Sequence, residues 1–240
     1  MYGKNLGFLL VQMFLLMEKI DLKEVQHTVK IGEQCPYYDP NVQKDCILYE
    51  DGKPIGLFIK KMPEKLCKLA DLANHELRSK NVPKSKMTRN SSLRGDVVLQ
   101  YSTILGSIPP KPQMRRPYAS RSSVHSVKTA QTFIKAMLKL ALESEKVIKD
   151  ILPELYEQQK TLFEEVDDKW KFGNLFTSSI SNYNIPAPFH KDNGNIVGAL
   201  NVIITKRNNS KGGNLHVPDY NATFDQCDNS MLVYPVWENV

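Results

Sequence analysis

The chain has 240 residues, of which 41% are hydrophobic and 24% charged. That balance supplies a packed core and excludes a wholly disordered chain, and the length suits one large domain. The net charge of +6 is concentrated: between Arg78 and Lys128 eleven Lys/Arg stand against one acid, Asp96, so this stretch carries +10 and the remainder −4.

In chain order, Leu6 to Met17 is an apolar dozen preceded by Lys4. It is too short to span a bilayer comfortably, and no small-residue cleavage site follows it. Residues 1–17 therefore read as an apolar extension or a packing helix, with Met1 and Met17 both open as starts, and no membrane partner is expected. Cys46 to Ile59 reads as a hairpin, two apolar runs around Asp51-Gly52, because glycine takes the positive φ that tight turns require. A helix follows from about Pro63 to Ser79, with Leu66, Leu69, Ala70, Ala73 and Leu77 recurring on one side. Residues 80–95 are polar and basic and read as a loop, and Val97 to Leu105 as a strand. Between Gly106 and Val124 four prolines exclude a regular helix. The spacing of Phe133, Ile134, Met137, Leu138, Leu140 and Ala141 predicts a helix over about 127–150. Pro153 interrupts it, and a second helix runs to about Val166. Beyond Gly173 the pattern turns to strands: Leu175 to Tyr183, Ile196 to Thr205, Asn214 to Val217 and Met231 to Val236. This order fits an α+β domain better than alternating βαβ units.

Cys35, Cys46, Cys67 and Cys227 form no CxxC pair and no zinc-finger spacing, so a reducing compartment is expected. His27, His75 and His125 have no partners at ligand spacing. In Asn182 to Asp192, NYNIPAPFHKD, His190 and Asp192 stand two positions apart with Lys191 between them. On an extended segment such residues point the same way, and an imidazole with a carboxylate can fill two adjacent positions around one metal. The pair is two-thirds of a 2-His-1-carboxylate triad. Taken alone, an H-x-D pair is as readily a surface loop.

The wider order resembles the TET/JBP-like, nucleobase-modifying branch of the Fe(II)/2-oxoglutarate dioxygenases. Asn182-x-Asn184 precedes His190-x-Asp192; a strand, Gly212-Gly213 and then Pro218-Asp219-Tyr220 follow. This similarity covers about residues 176–240. It implies a double-stranded β-helix (jelly roll) core over 174–240, incomplete in its last strands, with mixed α/β support over 18–173, together one dioxygenase-like domain over 18–240. It implies Fe(II) on His190 and Asp192, a third His ligand expected beyond Val240, 2-oxoglutarate and O₂ as co-substrates, and hydroxylation of a (methyl)pyrimidine base in DNA. Asn182 and Asn184 are then contacts for co-substrate or base edge, and local turn hydrogen bonding accounts for them equally well. His216, the one histidine after Asp192, lies too close to be the distal ligand and reads as a half-buried strand residue. Because the expected third ligand falls at or beyond Val240, the chain resembles a member truncated at its C-terminus, and the resemblance names the family chemistry without implying that this chain turns over. Lys84, Lys86, Arg89, Arg94, Arg115, Arg116 and Arg121 lie in the basic stretch with Tyr101 and Tyr118, a composition suited to a phosphate backbone. The resemblance also implies a cytoplasmic, bacteriophage-type setting. Two other readings stay open: a hydroxylase of a prolyl or other amino-acid side chain, and a non-catalytic jelly-roll nucleic-acid-binding or structural protein.

Overall fold

A computed structural model describes residues 17–90, 97–110, 118–192, 195–210 and 212–236, with the side chains of 86–90, 97 and 98 outside the description. The fold is mixed α+β. Eleven strands and three helices are described: β1 (Glu18–Asp21), β2 (Cys46–Glu50), β3 (Lys53–Ile59), α1 (Glu64–Arg78), β4 (Ser85–Asn90), β5 (Val97–Ile108), β6 (Ser120–Arg121), α2 (Gln131–Ile151), α3 (Pro153–Glu164), β7 (Ser178–Tyr183), β8 (Asn201–Ile204), β9 (Leu215–Val217), β10 (Ala222–Phe224) and β11 (Met231–Tyr234).

The chain divides into two compact units, one of residues 1–67, 143–162 and 187–240, the other of 68–142 and 163–186. Each helix contributes residues to both. In the first unit a five-stranded sheet runs β1-β2-β3-β11-β8, beside a β10-β9 pair. Among the described strand pairs of this unit only β1–β2 is parallel. The β2–β3 hairpin forms where expected, since Asp51 (φ 48°) and Gly52 (φ 73°) supply the two successive positive φ values of a type I′ turn. Its core gathers Cys46, Leu48, Phe58, Val217, Phe224, Leu232 and Tyr234. Phe224 lies 5.7 Å from Phe58 and 6.5 Å from Tyr234, tilted against both. Every residue of β11 is buried, so its MLVY run faces packed neighbours on both sides.

In the second unit β5 is the spine, pairing antiparallel with β4, β6 and β7. Tyr101 of β5 and Tyr183 of β7 stack at 4.5 Å and 3°. The expected loop over 80–95 contains a strand, β4, in its described part. Its polar SKMTRN sequence hides it, because the ladder to β5 is made by backbone groups rather than an apolar face. The helix expected over about 127–150 starts at Gln131, after a short 3₁₀ turn over Lys128–Ala130. Pro153 opens α3 at the position that tolerates a missing N–H.

The strand expected over Ile196 to Thr205 is shorter, Asn201–Ile204. Gly198 takes φ 84° and the Ala199 N–H closes a turn on the Ile196 carbonyl at 3.1 Å. The Gln159 side chain then takes the place of a neighbouring strand. Its Oε1 accepts from the Leu200 N–H at 2.9 Å and its Nε2 donates to the Leu200 carbonyl at 3.3 Å. A buried backbone satisfied by a side-chain amide needs no ladder partner. The apolar segment Leu6 to Leu16 lies outside the described residues. Among the described residues no helix is long and apolar enough to cross a membrane.

Candidate metal centre

His190 and Asp192 belong to the first unit, on a segment tied to an earlier stretch of chain. Phe189 N–H donates to the Glu33 carbonyl at 2.9 Å, Gly32 N–H to the Phe189 carbonyl at 2.8 Å, and Pro188 bridges Gln34 antiparallel. Phe189 is buried, its ring at 6.2 Å and 71° to that of His216. His216 in turn stacks on Tyr38 at 3.7 Å and 10°, and its Nδ1 meets the Thr223 hydroxyl at 2.8 Å. The apolar Phe189 turned inward leaves the neighbouring His190 turned outward, which is how a residue of this chain becomes an available ligand.

His190 Nδ1 lies 2.7 Å from the Pro188 carbonyl. A carbonyl oxygen only accepts, so Nδ1 carries the proton and Nε2 presents its lone pair. That lone pair lies 3.4 Å from Asp192 Oδ1, with the two side chains 51% and 47% exposed. In the neutral ring a cation placed between the two groups makes this approach favourable, as a proton on Nε2 also does. Two donors at right angles, each about 2.1 Å from a metal, are about 3 Å apart. The observed gap is close to that, and a nitrogen–oxygen donor set with a ring N–H held by a backbone carbonyl suits Fe(II). The residues present therefore fit two positions of such a site. Among the described residues no third His, Cys, Asp or Glu joins them as a metal-binding group. His216 is a buried strand histidine, as its position implies.

The remaining expected site residues lie elsewhere. Asn182 is exposed on β7 opposite Ser102, and Asn184, at φ 53°, ends that strand with its Nδ2 3.4 Å from the Leu99 carbonyl. Both are in the second unit. Lys84 Nζ donates to the Leu77 carbonyl and, at 2.6 Å, to that of Ser79, where α1 ends. It also lies 4.6 Å from the centre of the Tyr101 ring. Arg121 Nη1 donates to the Lys169 carbonyl at 3.2 Å. Lys86 and Arg89 sit on β4 opposite Tyr101 and Val98. Arg94, Arg115 and Arg116 lie outside the described residues. Sequence reasoning missed the Pro188 carbonyl and the Tyr38–His216–Phe189 buttress. It also missed the pair His27 Nε2···Asp219 Oδ1 at 2.5 Å, whose partners are too far apart in sequence to suggest one another.

Burial holds His216 below the ordinary histidine value of 6.5, with the charge of His27 acting the same way. Burial, then Arg121, does the same to His125, whose Nε2 accepts from the Gly106 N–H at 2.8 Å. The unfolded chain thus binds these protons more readily than the folded one. Stability from both is full above pH 6.5 and falls as the pH drops below it. We expect the thermal midpoint to decline from pH 7.5 to pH 5, and a His125→Asn/His216→Asn chain to show a shallower decline. An equal slope in both chains would show that these histidines carry no such linkage.

With the geometry in hand, comparison with solved structures is informative. One match is NgTET1 in complex with 5mC DNA, at a TM-score of 0.54 and 13% identity, covering 98% of this chain and 81% of that one. The fold resembles that of NgTET1. No protein-family model matches the chain, and no curated protein does. At 13% identity the likeness concerns the fold.

Proposed function

We propose that this chain is an Fe(II)- and 2-oxoglutarate-dependent oxygenase with a jelly-roll core, hydroxylating a methylated pyrimidine base in DNA. The observation that carries the reading is the convergence of His190 Nε2 and Asp192 Oδ1 at 3.4 Å in a chain whose fold resembles that of a protein solved with 5mC DNA. The H-x-D motif and its flanking order, read without any structure, resemble the same branch. His190 and Asp192 would hold the metal, which with 2-oxoglutarate and O₂ supplies the oxidising power; the protein supplies position. The Pro188 carbonyl fixes the His190 tautomer, and the buried Phe189, edge-on to the His216 ring that stacks on Tyr38, anchors the backbone next to it. Lys86, Arg89, Arg94, Arg115, Arg116 and Arg121 supply cations for the phosphate backbone. Lys84 is not among them, because its ammonium is committed to the end of α1 and to Tyr101.

The test is to incubate the chain with Fe(II), 2-oxoglutarate and duplex DNA containing 5-methylcytosine, then measure succinate and digest the DNA for mass spectrometry. DNA-dependent succinate together with an oxidised base is the expected result. Succinate with unmodified DNA would move the reading to another substrate, such as an amino-acid side chain. No succinate, together with Fe(II) binding that is absent or does not depend on His190, would remove the oxygenase reading.

A further inference from the structure

The first unit carries a cleft of about 460 Å³ lined by Tyr37, Pro40, Arg207, Gly212, Asn214 and Asp225. That volume falls within the roughly 300–1,000 Å³ of small-ligand sites. Both walls are held by specific bonds. On one side Tyr38 is stacked on His216, while Tyr37 beside it is 68% exposed, a large ring without a place in the core. Asn41 ties this segment to β10, donating through Nδ2 to the Asn221 carbonyl at 2.7 Å and accepting at Oδ1 from the Thr223 N–H at 2.7 Å. Asp225 follows, its N–H on the Val42 carbonyl at 2.9 Å. On the other side the Arg207 N–H donates to Asp228 Oδ1 at 2.7 Å, and its Nη2 to Asn214 Oδ1 at 3.2 Å.

The charges are uneven. Asp225 is already neutralised by Lys60 Nζ at 2.8 Å. Among the described residues the Arg207 guanidinium pairs with no carboxylate, and Asn214 takes up only part of its donor fork. The cleft therefore offers a cationic fork with donors to spare and two ring surfaces, Tyr37 and Pro40. A guanidinium fork matches a phosphate with two parallel hydrogen bonds, and an exposed tyrosine ring matches the face of a base.

We infer that this cleft binds a planar ring carrying an anionic group, of the nucleoside monophosphate class, with the phosphate on Arg207 and the base against Tyr37. The site stands on its own residues and does not depend on the metal pair His190 and Asp192. It is tested by calorimetric titration of the whole chain with three probes: deoxycytidine monophosphate, deoxycytidine and inorganic phosphate. The nucleotide should bind saturably, and each half-molecule at least about tenfold more weakly. Arg207→Gln and Tyr37→Ala should each weaken the nucleotide by about ten- to a hundredfold, with thermal midpoints unchanged, since Tyr37 is outside the core. Arg207→Lys, which keeps the charge and loses the fork, should fall between wild type and Arg207→Gln. The inference is overturned if the nucleotide fails to saturate below about 10 mM or if either half-molecule binds as tightly as the whole. Equal nucleotide affinity in the variants and the wild type overturns it as well.

Discussion

Replacing His190 with alanine is expected to lower Fe(II) affinity by more than about a hundredfold and to abolish DNA-dependent succinate formation. Groups that merely orient a ligand are worth about ten- to a hundredfold in metal affinity, so loss of a ligand exceeds that range. The side chain is half exposed, with the Pro188 carbonyl and the Asp192 carboxylate as its polar neighbours. Its removal should therefore leave the thermal midpoint within a degree or two, as surface substitutions generally do. Asp192→Asn keeps the shape and removes the charge, and should weaken the metal in the same direction by a smaller factor. Anaerobic titration with Mn(II), followed by electron paramagnetic resonance, reads both effects without needing turnover. Unchanged affinity in both variants would show that this pair is a surface contact and nothing more.

The largest loss of stability is expected from Gly106→Ala. Gly106 sits in β5 at φ 81°, where an L side chain costs about 1–2 kcal/mol from backbone strain alone. A Cβ there would also stand 2.8 Å from the Cα of Ser178 and closer still to the Thr177 carbonyl oxygen. These are backbone atoms of the adjoining strand, which can yield only by breaking the ladder. The Ser107 N–H bond to Thr177 (2.8 Å) and the Ser122 N–H bond to Gly106 (2.9 Å) flank the same point. Together these make a loss of about 3–5 kcal/mol, a fall in thermal midpoint of roughly 10–15 °C for a chain of this size. Gly52→Ala is the control: its φ is 73°, yet an added Cβ meets nothing within 4 Å, so only the strain of about 1 kcal/mol remains. Equal losses in the two variants would remove the close approach as the cause.

What the residues disclosed in advance follows from how local each cause is. The hairpin at Asp51-Gly52 is written in the turn itself, and α2 in a repeat that any neighbour would see. His190 and Asp192 are two residues apart, so their convergence is legible from spacing. The strand ending at Ile204 is not, because what shortens it is Gln159, 41 residues upstream of Leu200, bonding the Leu200 backbone. β4 escapes notice because its partner supplies backbone hydrogen bonds to a polar sequence. The buttress behind His190 joins Tyr38, Phe189 and His216, and no periodicity links positions so far apart. The same distance hides the cleft at Arg207, whose walls come from residues 37–40 and 207–225.

The position of β11 has a consequence for how the protein is made. It lies between β3 and β8 in the five-stranded sheet, yet about 170 residues separate Ile59 from Met231. A ribosome adding roughly 5–20 residues per second needs about 10–30 s to cover that distance. Throughout that interval Leu57, Phe58 and Ile59, fully buried in the finished protein, belong to a strand whose inner edge has no mate. The nascent chain thus carries a sticky, half-built sheet for longer than most small domains take to fold, and its yield in a cell will depend on what shields that edge until β11 arrives.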